Sequence, residues 1–370
     1  MITAIRWFLL LLALGGVAVT TIPGVNDDTW WIRYLDFPRL EFLVAMVIVA
    51  VLLVLLRPRT WLSWIAVAAL VGCSVYDAKV LAQFTPLTAP QEATAQSCPE
   101  GNRLRLLEVN VEMTNHHSHK LLNMVRQVDP DVAWFQETND WWEHELAPLG
   151  STMPYSAQQA QPNYFGVHLF SRLPLVDPAV HDLTGSHNPS VFTGIRLPSG
   201  AVIRLYAIHP RPPQVGQSTA ERDAQLLATA LAAHDDTMPH IVTGDMNSVP
   251  WEDAIKQTQR VGRFLDPRIG RGLYITWNAK HLLLKWPLDQ ILPGPAFTLL
   301  SLRVLPAFGS DHHPYLAELC LDPAAAAHQP PPGLQPNDLQ AAGKTVSQGR
   351  NAADKAGYKG DDHPDSDNNK

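Results

Sequence analysis

The sequence predicts an α/β protein: one α/β domain of a little over 200 residues, preceded by about three transmembrane helices and followed by a disordered tail. Three observations carry that reading. The first eighty or so residues are far more apolar than the remainder. Between Arg103 and Cys320, short strand-like runs alternate with helical ones. From Leu321 onward Pro, Ala, Gly, Asp and Asn dominate, and a segment with so little to bury does not offset the entropy of folding.

The apolar region holds three runs, Trp7–Asn26, Phe42–Leu56 and Thr60–Tyr76. Each has about 15 to 20 residues, near the lower end of what crosses a hydrocarbon core. Trp7, Trp30, Trp31, Trp61, Trp64 and Tyr76 lie towards their ends, where amphipathic rings settle at headgroup level. Arg6, Arg57 and Arg59 mark the cytoplasmic side by their density, against Arg33, Arg39 and Lys79. An odd number of spans then delivers the following domain to the outer side. A signal peptide cleaved near Ala18 is the alternative for the first run and leaves the domain on that same side. Residues 1–84 are thus a membrane region, 85–97 a Pro-, Thr-, Ala- and Gln-rich linker, 98–320 the α/β domain and 321–370 the tail. His363, among aspartates in that tail, reads as solvated.

Within the domain, strands are expected at Leu104–Val109, Val132–Phe135, Gly166–Phe170, Val202–Ile208, Ile241–Thr243 and Tyr315–Cys320. Helices are expected around Lys120–Val128 and Thr219–His234. The formal net charge of −7 provides no global field for nucleic acid. The cysteines, Cys73, Cys98 and Cys320, have no metal-ligand spacing, which argues against a thiolate zinc site.

Six strand-like runs stop at polar clusters with no structural use of their own. They are Asn110-Val111-Glu112, Gln136-Glu137-Thr138, His209-Pro210, Gly244-Asp245-Met246-Asn247, Asp289-Gln290 and Ser310-Asp311-His312. Strand ends at one edge of an α/β core are where such enzymes collect their sites. Carboxylates, amides and imidazoles without a thiolate suit Mg²⁺ or Mn²⁺. Each motif alone has a plain structural use. Gly-Asp-x-Asn makes an Asx-turn, and His-Pro is a common loop feature.

Taken in order, together with Thr276-Trp277, these motifs resemble the endonuclease/exonuclease/phosphatase (DNase I-like) superfamily over about Leu104 to Cys320. His209-Pro210-Arg211-Pro212-Pro213, with Arg222 and Gln225 on the helix that follows, is most similar to its membrane-anchored bacterial subgroup. The resemblance implies a four-layer α/β/β/α sandwich of two mixed sheets, in a bacterial inner membrane protein whose catalytic domain is periplasmic. It implies Mg²⁺ (or Mn²⁺) held by Asn110, Glu137 and Asp311. Glu112 joins them as two residues past Asn110, on the same face of an extended strand, although the subgroup often has an uncharged residue there. His312 is expected as general base or phosphate-holding group, oriented by Asp289. His209 would protonate the leaving group or bind a phosphate oxygen. Asp245 would align or deprotonate the water, and Asn247 would donate to a non-bridging oxygen.

His313 points the opposite way from His312 in an extended segment. His116, His117 and His119 read as solvated loop residues at a helix start. The basic residues Lys256, Arg260, Arg263, Arg268, Arg271, Lys280 and Lys285 fit phosphate contact or a solvated face equally. The terminal strands of the implied fold lie close together, so a Cys98–Cys320 disulfide is expected, in an oxidising compartment. Cys73 reads as a packing residue. The expected function is phosphodiester hydrolysis, nuclease-like first. A phospholipid, sphingomyelin or inositol-phosphate esterase is the enzyme alternative, and a degenerate binding or scaffold module the alternative of another class.

Overall fold

The computed structural model describes residues 2–25, 27–56 and 60–357. Asn26, Arg57, Arg59 and His363, with the tail beyond Gly357, lie outside them. The chain forms two compact units: Met1–Ala89 with Pro213–Thr219, and Pro90–Pro212 with Ala220–Lys370.

In the first unit all three apolar runs are helical. α1 spans Ile2–Thr21, a short α2 spans Trp30–Tyr34, α3 spans Arg39–Leu55 and α4 spans Trp61–Ala82. They pack through Leu9, Ala13, Met46, Ala50, Leu53 and Leu70. A β-carbon at Gly16 would sit 2.9 Å from Met46 Cγ, so the small residue sets this approach. The outward faces are equally apolar: Leu11, Leu14, Val47, Val51, Trp61 and Ile65 are exposed. Among the described residues, two segments, Thr3–Gly24 and Trp61–Ala82, are long and apolar enough to cross a bilayer. The expected third is not. α3 has 17 residues, about 26 Å at 1.5 Å per residue, against a core of about 30 Å. It starts only at Arg39, whose buried guanidinium lies 3.0 Å from Asp36 and 2.7 Å from Asp77.

The second unit opens with β1 (Arg103–Asn110), α5 (Ser118–Val128), β2 (Val132–Gln136), α6 (Asp140–Leu146), β3 (Tyr155–Gln159) and β4 (Val167–Ser171). Then come β5 (Leu175–Asp182), β6 (Pro189–Arg196), β7 (Val202–Ala207), α7 (Ala220–Asp235), β8 (His240–Asp245) and α8 (Asp253–Gly262). It closes with β9 (Asp289–Pro293), β10 (Phe297–Val304), β11 (Tyr315–Leu321) and α9 (Asp338–Ala356). One sheet has the order β10-β11-β1-β2-β4-β3 and the other β5-β6-β7-β8-β9. β1–β2 and β7–β8 are parallel and the remaining pairs antiparallel, so both sheets are mixed.

Period-two alternation builds the layers. Leu104 and Leu106 of β1, Val132 and Trp134 of β2, Leu205 and Ala207 of β7, and Ile241 of β8 share the core between the sheets. Leu107, Val109, Ala133 and Phe135 face the other way, onto Leu121, Val125, Trp142 and Leu146 of α5 and α6. Tyr206, Val242 and Leu292 back onto Leu226 of α7 and Ile255 of α8. The two-sheet α/β fold is therefore as expected.

Cys98 and Cys320 are joined in a disulfide, with Cα atoms 5.7 Å apart. Replacing both with alanine is expected to cost roughly 2–5 kcal/mol, read as a lower urea midpoint; an unchanged midpoint would contradict it. Cys73 packs against the helical cluster of the first unit. Within residues 85–97, Ala93 and Ala95 bond to the Leu299 backbone at the β10 edge, and Glu92 is buried.

The tail differs from expectation. α9 has 19 residues, and its Ala342 and Val346 pack on Leu227 and Ala230 of α7. Arg260 holds Asp338 at its start through two bonds of 2.7 and 3.0 Å. Alanine is the best helix former, and the small Gly349 lets α9 close on Ala224.

Candidate active site

The alternation that fills the core also makes the site. At the ends of β1, β2, β7, β8 and β9, the inter-sheet face changes from Leu, Val and Ile to Glu108 and Asn110, Gln136, His209, Asp245 and Asp289. All of these are buried. Asp245 and Asp289 are direct register partners, as are Asn110 and Gln136. Only glycine fits at 244, where φ is +144° and a β-carbon would meet the Ile208 carbonyl at 1.8 Å.

Asp245, Asp289 and His312 bring their ligand atoms within 4.8 Å of one another. His312 Nδ1 donates to Asp289 Oδ2 at 2.8 Å, and its Nε2 lies 3.5 Å from Asp245 Oδ2. The Asp289 partnership is the expected one. Burial opposes the charge on His312, but Asp289 and then Asp245 outweigh it and hold the imidazole pKa well above its usual value. Burial alone would raise Asp289, but His312 holds it below its usual value. Asp245 is pushed up to about 7, by burial first and then against His312 by the Asp289 charge.

Glu137 follows β2 in the left-handed region, φ 60°. Asn110 Nδ2 donates to Glu137 Oε1 at 2.8 Å and to Asp245 Oδ2 at 3.2 Å. Asn110 therefore turns its nitrogen, not the expected oxygen, to the carboxylates; its Oδ1 accepts from the Glu112 amide at 3.0 Å. Burial first, then the Asp311 and Asp245 charges, push Glu137 up to about 8. A buried group of carboxylates repelling one another, with only oxygen and imidazole donors around it, fits a hard divalent cation.

Glu112 does not share a strand face with Asn110 as expected. β1 ends at Asn110 and Glu112 has φ 54°, so the strand does not carry it. Its carboxylate instead pairs with Lys280 Nζ at 2.7 Å and accepts from the Asp311 amide at 3.0 Å. Asp311 is held by the Trp277 indole N–H at 2.9 Å and, through its carbonyl, by the Ala279 amide at 2.6 Å. Thr276 Oγ1 accepts from the Asp289 amide at 3.1 Å. Ser310 Oγ donates to the Asn110 carbonyl and accepts from the His312 amide, both at 2.9 Å. His313 turns away to the Leu305 carbonyl.

His209 Nε2 lies 3.9 Å from Asp245 Oδ2. Burial, then the charge on His312, pushes its pKa down to about 3. It is a neutral ring, which favours the expected phosphate contact over acid catalysis. Asn247 donates to the Pro210 carbonyl at 2.9 Å and so ties its loop to that of His209.

Three supporting residues had no assigned role in the sequence. Gln136 accepts from the Asp245 amide at 2.7 Å and donates to Glu108, linking the sheets beneath the site. Burial, and then the charge on Asp289, push the Glu108 carboxyl well above its usual pKa. The signal for it was an acid two residues before Asn110, on the strand face that Leu104 and Leu106 otherwise fill. Arg222, buried on α7, donates to the Asn247 carbonyl at 3.0 Å and pairs with Glu252. Arg222→Met would remove the buried cation that faces Glu252 and is expected to cost roughly 3–5 kcal/mol in urea unfolding; a loss under 1 kcal/mol would contradict this role.

A family model described as the Endonuclease/Exonuclease/phosphatase family matches residues 107–312. No curated protein matches the chain. Among solved structures, D. rerio TDP2 complexed with a single strand DNA product is 13% identical, with TM-score 0.49 over 59% of this chain and 98% of that one. The human Nocturnin catalytic domain with bound sulfate is 17% identical, TM-score 0.49, over 59% and 94%. An endonuclease/exonuclease/phosphatase family protein from Bacteroides thetaiotaomicron is 16% identical, TM-score 0.45, over 60% and 95%.

Proposed function

The chain belongs to the endonuclease/exonuclease/phosphatase family, and from that premise we propose that it is a metal-dependent phosphodiesterase tethered to a membrane by its N-terminal helices. The observation that carries the chemistry is the buried Asp245–His312–Asp289 group beside Glu137 and Asn110.

Glu137 and Asp311 would hold the cation, joined by Asn110 once its amide oxygen turns inward. When bound, a Mg²⁺ or Mn²⁺ ion supplies charge neutralisation and Lewis acidity at the phosphate. His312, kept charged by Asp289, binds a phosphate oxygen; its high pKa favours this over the general-base role. Asp245, titrating at about 7, is matched to taking a proton from the attacking water near neutral pH. His209 contacts a phosphate oxygen as a neutral ring. Asn247 spends one N–H on Pro210 and offers the second as charge develops.

The tether rests on two long helices that are apolar inside and outside, a pattern suited to lipid. Two features support a periplasmic domain in a bacterial inner membrane. The Cys98–Cys320 disulfide belongs to an oxidising compartment. Arg33 and Arg39, which ran against the arginine bias, lie in ion pairs with Asp36. For substrate, most of the basic excess noted before Asp289 is committed within the fold. Lys256 pairs with Asp253, Arg260 with Asp338, Arg268 with Asp266 and Lys280 with Glu112, while Arg271 bonds to the Glu92 carbonyl. That weakens the electrostatic basis of the nuclease reading.

The test is hydrolysis by the full chain with Mg²⁺ of a soluble aryl phosphodiester, DNA, RNA, sphingomyelin and inositol phosphates in parallel. Turnover of at least one diester is expected, and inactivity on all of them would reject the reading.

A further inference from the structure

Beside the site stands a feature that the catalytic residues do not use. Leu282 and Leu283 are 92% and 84% exposed, and Leu284 is 49% exposed. Isolated exposed leucines are ordinary, but three in succession at one loop tip form a patch of the kind that marks an interaction surface. Their base is fixed. Trp277 and Trp286 exchange backbone hydrogen bonds, and their rings stack at 5.0 Å. The same base carries the indole bond to Asp311, the Ala279–Asp311 backbone bond and the Lys280–Glu112 pair. The tip is thus attached directly to residues of the site mouth, and His281 and Lys285 flank it.

We propose that Leu282–Leu284 insert into a lipid bilayer surface, so that the site works on a phosphodiester presented among lipid headgroups. The inference rests on the phosphodiesterase reading and names its substrate class. Three things on the chain select a bilayer as the occupant. The tip is apolar at its crown and carries the cationic Lys285 at one shoulder, the order in which an interface presents acyl chains and phosphates. Aliphatic side chains fit acyl packing and give no hydrogen-bonding or stacking handle for a nucleic acid base. The same polypeptide also carries two helices long and apolar enough to cross a membrane.

The experiment uses the full chain in proteoliposomes, in a Cys73→Ser background, with an environment-sensitive fluorophore on Leu283→Cys and, as control, on Leu339→Cys. Quenching by spin-labelled lipid is expected at 283 and not at 339. Quenching at 283 by aqueous iodide alone would overturn the proposal. So would shielding that grows with protein concentration without lipid quenching, which identifies a second copy of the chain as the occupant. In a second arm, Leu282→Ser with Leu283→Ser is expected to lower the ratio of bilayer-phospholipid to soluble-diester hydrolysis by about tenfold or more; an unchanged ratio also overturns it. A wild-type chain inactive on both substrates and on the wider diester panel above rejects the phosphodiesterase reading instead, while the quenching arm still decides the docking.

Discussion

His312→Ala is expected to lower kcat for a soluble phosphodiester by about 10³-fold or more while the protein stays folded. The residue sits in a loop whose backbone is held independently of its ring, by the Ser310 hydroxyl and by the Trp277 bridge. Its imidazole faces two carboxylates, 2.8 Å from Asp289 and 3.5 Å from Asp245. Asp289→Asn tests the same pair from below. The neutral amide keeps the shape and removes the charge that outweighs burial at His312. The ring pKa is then expected to fall, which NMR titration would register, with kcat lower by about 10²- to 10⁴-fold. Full activity in both variants would place the chemistry elsewhere.

Glu137→Gln carries the second large effect. The carboxylate lies where burial and the Asp311 and Asp245 charges already work against it, which is why a cation belongs there. Removing the negative charge is expected to abolish Mg²⁺-dependent hydrolysis, with a loss of about 10³-fold or more. It should also remove the rise in melting temperature that Mg²⁺ gives the wild type, because a ligand stabilises only a fold that binds it. Since Gln relieves the buried repulsion, the metal-free variant should be at least as stable as the parent. A variant with unaltered Mg²⁺ stabilisation would remove Glu137 from the ligand set.

Much of this arrangement was legible because strands report their own faces. In β1 the alternation of Leu104 and Leu106 against Leu107 and Val109 fixes which side Asn110 takes. The polar residues closing β8 and β9 announced that the core had ended. The roles of Glu108, Gln136 and Arg222 were not legible, since each acts through a partner 25 or more residues away in sequence. Glu112 misled because a strand was extended by two residues past its end, where the backbone turns to φ 54°. α9 was hidden by composition. Ala342, Val346, Gly349 and Ala353 recur at helical spacing and are buried, but small residues score poorly as a core even where they let two helices close. The apolar content of α3 suggests a span, but its length depends on where Pro38 and the paired Arg39 start it. The exposed Leu282–Leu284 tip was in plain view between two lysines, but exposure is not a property of sequence alone.

The most direct measurement is a Mg²⁺ titration of soluble-diester hydrolysis by the full chain after chelator treatment, run beside Glu137→Gln. Negligible turnover is expected after chelation, with saturable recovery on adding Mg²⁺ to the wild type and no recovery in the variant. Hydrolysis that survives chelation, or equal recovery in both proteins, would contradict this expectation.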